Sequence, residues 1–156
     1  MNSVTVNAEE VPLPAWSDSL CGFALKALDG INVSNWELSI LLCGNKTITA
    51  LNTQYRNRAE PTDILSFNLG AEEMHGDETV YLPGDIVISL ETLSENARYF
   101  KISEDEELRR LVIHGILHLN GMDHETTDKN EPMLALQEEI LNRLKDTHIF
   151  PDGGQQ

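Results

Sequence analysis

Ser103–Glu125 reads S-E-D-E-E-L-R-R-L-V-I-H-G-I-L-H-L-N-G-M-D-H-E, and its pattern decides the architecture around it. Ser103 followed by Glu106 is a capping box, and Glu104 to Glu107 place negative charge at the positive end of a helix dipole. Gly121 is positioned to end that helix in a left-handed conformation. Between the two signals, Leu111, Val112, Ile113, Ile116, Leu117 and Leu119 cover every side. A helix apolar all round is a buried central helix. It nevertheless carries His114 and His118, one turn apart on a single face. Burying an imidazole costs about 1–3 kcal/mol for each hydrogen bond left unmade. A shared metal ion removes that cost, because neutral imidazole is a metal ligand and the i, i+4 spacing lets both rings converge.

His124 follows just past the glycine, so the whole reads H-x-x-x-H-x-x-G-x-x-H. Two unrelated helical histidines explain a bare H-x-x-x-H; they do not explain a buried pair, a turn glycine and a third histidine together. Three His ligands without a fourth protein ligand describe an open, catalytic type of zinc site. An ion in such a site brings the ionisation of water down to about pH 7, which points to a metal-dependent hydrolase. The spacing is similar to the metzincin protease pattern except that Gly115 stands where those proteases carry their glutamate base. The resemblance therefore implies a zincin-like scaffold without the peptidase mechanism.

The rest of the chain is read around this helix. Its 156 residues suit one domain, expected over 1–150, with a disordered P-D-G-G-Q-Q tail over 151–156. Strands are expected at Ser3–Val6, Trp36–Cys43, Thr62–Phe67 and Asp85–Leu90, and helices over Ala15–Leu28, around Ile48–Tyr55 and over Met133–Lys145. Gly70–Thr79 is polar and acidic and reads as a mobile loop or lid. The irregular alternation gives an α+β fold, a mixed sheet of about four strands packed around the central helix. Two cysteines, no membrane-length apolar run and no secretory signal at the N-terminus suggest a cytosolic location. Eleven Lys and Arg against 26 Asp and Glu give a net charge of −15. That field repels polyanions, so any nucleic-acid contact must come from a local groove at Arg56, Arg58 or the pair Arg109–Arg110.

Three blocks resemble the YbeY family of bacterial endoribonucleases. They are L-N-T-Q-Y-R at 51–56 with P-T-D-I-L-S-F at 61–67, G-D-I-V-I-S at 84–89, and H-G-I-L-H-L-N-G-M-D-H at 114–124. The chain departs from the family at Asn57-Arg58-Ala59-Glu60, where Gly-Lys-Asp is commoner. The resemblance implies cleavage of single-stranded RNA rather than DNA, in 16S rRNA 3′-end maturation and ribosome quality control on ribosomal particles. It implies zinc at His114, His118 and His124, with another divalent ion as the alternative, and Arg56 facing the active site. An Arg fork can hold a phosphate bidentately and stabilise the charge of a pentacoordinate transition state. Asp85 or Asp123 can orient a ligating histidine, and Asp123 can equally cap the turn after Gly121. His75 and His148 lie outside the pattern and read as surface residues. Two alternatives stay open: a non-catalytic ribosome-assembly factor with a structural metal, and a hydrolase of peptides or small phosphoesters.

Overall fold

The computed structural model describes residues 1–151; the expected tail lies, apart from Pro151, outside the described residues. The elements run β1 (Ser3–Ala8), α1 (Ser17–Gly30), β2 (Glu37–Cys43), α2 (Asn45–Arg56), β3 (Ile64–His75), β4 (Glu78–Ser89), α3 (Leu90–Phe100), α4 (Glu104–Leu119) and α5 (Pro132–Arg143). The four strands form one mixed sheet in the order β1-β2-β4-β3. β1 and β4 run parallel to β2, and β3 runs antiparallel to β4. Alternation along the central strands sends Leu38, Ile40, Leu42, Ile86 and Ile88 into the main core with α1 and α4. Val87 and Leu65 point the other way, where Ile48 of α2 covers them. The expected α+β architecture with a four-stranded mixed sheet and a central buried helix is the one observed.

Two segments differ from expectation. Gly70–Thr79 is no loop: it is the outer half of a β3–β4 hairpin, paired from Ala71↔Leu82 to His75↔Glu78. Beyond Tyr81, which packs on Trp36 and the core, neither face of this ribbon is buried, so its strands carry no apolar alternation to mark them. The two-residue connection Gly76–Asp77, with Gly76 at φ +68°, is the signal that was there to read. The second difference is α3, which follows β4 directly. Ser89 ends the strand and caps the helix, its Oγ accepting from the Thr92 N–H at 3.3 Å.

α4 begins and ends as its sequence requires. Ser103 Oγ accepts from the Glu106 N–H at 3.0 Å. At the other end Gly121, at φ +90°, closes a Schellman motif in which the Met122 N–H reaches the Leu117 carbonyl and the Gly121 N–H reaches the His118 carbonyl, both at 3.0 Å. The helix lies directly on the sheet at Gly115. A Cβ added there would sit 2.8 Å from Ile86 Cδ1 and 3.1 Å from Ile64 Cδ1. The acidic first turn does more than complement the dipole, because Asp105 and Glu107 are buried. Asp105 accepts from the Ile149 and Phe150 N–H groups at 2.7 and 2.9 Å, from Arg109 Nε at 2.7 Å and from His148 Nδ1 at 3.1 Å. It therefore ties the chain after α5 to the start of α4. Burial raises the energy of its carboxylate, but the donors from Phe150, His148, Ile149 and Arg109 outweigh that and hold its pKa below the ordinary value.

Removing Asp105 leaves Arg109 buried without its partner. Asp105→Ala is expected to lose about 3–5 kcal/mol in urea or thermal unfolding. Because the folded pKa is lowered, the contribution of Asp105 is complete above the ordinary carboxylate range and is lost as pH falls through the lowered value. Gly115→Glu is expected to lower Tm by about 4–10 °C through overpacking against Ile86, without releasing peptides from denatured casein, since this position faces the sheet.

Candidate metal centre and cleft

Three imidazoles meet at the end of α4. His114 and His118 stand on the helix, and the Schellman turn brings His124 back to them, its ring centroid 5.4 Å from that of His114 and 5.7 Å from that of His118. One ligand atom from each histidine lies within 4.8 Å of the others. His114 Nε2 and His118 Nε2 are 3.0 Å apart. Bonds of about 2.0–2.1 Å at tetrahedral angles place two ligand nitrogens roughly 3.3 Å apart, so the pair has the spacing of donors sharing one ion.

Proton positions agree with that geometry. His118 Nδ1 lies 3.1 Å from the Met122 carbonyl and His124 Nδ1 lies 2.7 Å from the Thr126 carbonyl. A carbonyl only accepts, so each Nδ1 carries the hydrogen and each Nε2 keeps its lone pair. His114 Nδ1 meets Gln137 Oε1 at 2.7 Å. Burial pushes the pKa of both His114 and His118 below the ordinary imidazole value, and neighbouring imidazoles push the same way. Neutral rings are the form that binds metal. The donor set fits one divalent ion.

The pair opens into a cleft of about 1020 Å³ whose walls include Arg56, Asp63, Ser66, Tyr81 and Asp123. Arg56 comes from the last turn of α2 and donates from Nη2 to the Ser66 carbonyl at 3.2 Å. Among the described residues no carboxylate lies within ion-pair distance of it, and its guanidinium is free to meet an anion. Asn57 follows at φ +56° as the left-handed cap of α2, a conformation asparagine adopts more readily than most residues. Arg58 instead pairs with Glu60 at the surface, 3.7 Å away.

Other candidates are placed elsewhere. Arg109 is buried against Asp105, and Arg110 is held by Glu106 and Glu138, so this pair offers no groove to a polyanion. Asp85 is exposed and shares its face of the sheet with Val87, opposite to the core face against which α4 packs. It orients no histidine. Asp123 caps the turn, its Oδ1 accepting from the His124 N–H at 2.8 Å. His75 is exposed beside Glu73, and His148, half-exposed, bonds Asp105. The groups that do meet the three Nδ1 atoms are two backbone carbonyls, which no residue type announces, and Gln137. Its signal was a polar residue in the buried stripe of Met133, Ile140 and Leu141.

Comparison with known proteins agrees with this geometry. The model of the endoribonuclease YbeY family matches residues 5–145. The chain is 43% identical over 152 residues to an endoribonuclease YbeY of Treponema denticola, covering 96% of this chain and 97% of that one. It is 42% identical over 139 residues to one of Borrelia turicatae, covering 88% and 92%. The solution structure of a Thermotoga maritima protein superposes with a TM-score of 0.61 at 28% identity, covering 98% of this chain and 99% of that one. With three histidines converging beside a free arginine and a match along nearly its whole length, the chain belongs to the endoribonuclease YbeY family.

Proposed function

We propose that the chain is a metal-dependent endoribonuclease that cuts single-stranded RNA during maturation of the 16S rRNA 3′ end and in ribosome quality control. It works in the cytosol on ribosomal particles, with zinc held by His114, His118 and His124. The observation that carries this reading is the convergence of the three histidines beside a cleft that also presents an unpaired arginine. Family membership supplies the substrate class, and the relatives named above are endoribonucleases.

A divalent ion bound here would supply Lewis acidity and would bring the ionisation of water down to about pH 7. The chain's own residues do the rest. His114, His118 and His124 would hold the ion, one ligand atom of each lying within 4.8 Å of the others. Arg56, anchored to the Ser66 carbonyl, keeps its remaining N–H donors for the scissile phosphate and stabilises the charge that grows on its oxygens as the bond is cut. A net charge of −15 disfavours distant contacts with RNA, which leaves binding to this local constellation.

Two experiments test the reading. Arg56→Ala should retain its metal and its Tm, while cleavage of single-stranded RNA falls by about 10² or more and RNA affinity falls less. Cleavage at the parental rate would return Arg56 to a surface role. Zinc at ~100 times its Kd should stabilise the parent by about 2.7 kcal/mol, read as a rise in Tm. His118→Ala should show no such rise and no cleavage, and chelation of the parent should abolish cleavage reversibly.

A further inference from the structure

Of the three groups that meet an Nδ1 in the histidine cluster, two are carbonyl oxygens and can only accept. Gln137 is different. Its side-chain amide presents an acceptor on one side and a donor on the other, and the two differ by a half-turn. With Oε1 toward His114, the imidazole carries its hydrogen on Nδ1 and leaves the Nε2 lone pair for a metal. Turned over, the NH₂ would donate to Nδ1, send the hydrogen to Nε2 and remove His114 from the ligand set. Something must hold the amide one way round.

The structure contains that restraint. Gln137 Nε2 donates to Glu138 Oε2 at 3.1 Å, and a carboxylate cannot donate back. Glu138 is itself gripped bidentately by Arg110, Nε to Oε2 at 2.9 Å and Nη2 to Oε1 at 3.1 Å. Arg110 is further fixed by Glu106 at 3.1 Å. Arg110 stands on α4 one turn before His114, and Gln137 and Glu138 are neighbours on α5. The four side chains close a loop between the two helices: Arg110 to Glu138, Glu138 to Gln137, Gln137 to His114, and back along α4.

Building on the metal site proposed above, we infer that Glu138, gripped by Arg110, is a positioning residue that locks the Gln137 amide and through it selects the metal-binding tautomer of His114. Partners of this kind are worth about 10–100-fold in metal affinity.

The test uses full-length protein labelled with ¹⁵N and freed of metal by a chelator, with folding checked by circular dichroism. Long-range ¹H–¹⁵N correlation reads the His114 tautomer, and competition with a chromophoric chelator reads zinc affinity. The parent should show the hydrogen on Nδ1. Gln137→Met should lose zinc affinity by about 10–100-fold. Glu138→Leu should populate the Nε2–H form and lose affinity by about tenfold. Gln137→Glu supplies two oxygens that both accept, so no orientation needs holding. It should keep the Nδ1–H form, and Glu138→Leu added to it should leave that form unchanged and cost less than threefold in affinity. An equal loss of affinity from Glu138→Leu in both backgrounds would mean that Glu138 acts only through packing or charge, and would overturn the inference. So would a hydrogen on His114 Nε2 in the parent. If the parent takes up no zinc, the function proposed above fails, while the tautomer measurements still decide the role of Glu138.

Discussion

The contact of Gly115 with Ile86 and Ile64 is the constraint on which the remaining geometry rests. A side chain at that position would hold α4 off the sheet, and the helix would no longer lie close to β3 and β4. Because it does, the adjoining flank of the same two turns carries His114 and His118 into a cleft whose far wall is β3 and the end of α2. The metzincin pattern spends this position on a glutamate. Here it serves close packing, so the resemblance in histidine spacing and the difference in chemistry have one origin.

Legibility in the sequence followed burial. α4 was readable because cap, apolar content, imidazole spacing and terminal glycine each constrain the same 16 residues. The central strands were readable because one face of each is core. The outer hairpin, whose strands face solvent on both sides beyond Tyr81, carries no such imprint, and only its turn dipeptide betrays it. α3 escaped because a serine that completes β4 also caps the helix, leaving no break between them. The site divides in the same way. Its three histidines are residue types with a spacing; the oxygens that orient two of them belong to the backbone at Met122 and Thr126 and have no letter in the sequence. Arg109 and Arg110 look like a basic pair along the chain, and only the fold reveals that Asp105, Glu106 and Glu138 already occupy them.

Charge is distributed with the same economy. The chain carries 26 acidic residues, yet several of those closest to α4 are committed to internal partners: Asp105 to the segment after α5, Glu106 and Glu138 to Arg110. Glu107, pushed by burial up to about 7, is largely uncharged in mildly acidic solution. These acids lie outside the cleft, whose own lining carboxylates are Asp63 and Asp123, and among the described residues Arg56 is the cation that lines it with them.

The outer hairpin has a consequence for how relatives of this chain can diverge. Beyond Tyr81, which the Asn35 carbonyl still ties to the body, β3 and β4 pair only with each other, through Glu73↔Val80, Met74↔Thr79 and His75↔Glu78. Inserting or deleting two residues on each strand there preserves which side chains face which way, whereas a change of one reverses every residue outward of it. Both faces of the arm meet solvent beyond Tyr81, so such a reversal moves nothing into or out of the core, and lineages can lengthen or shorten the arm in single steps with the cleft at its base inherited unchanged.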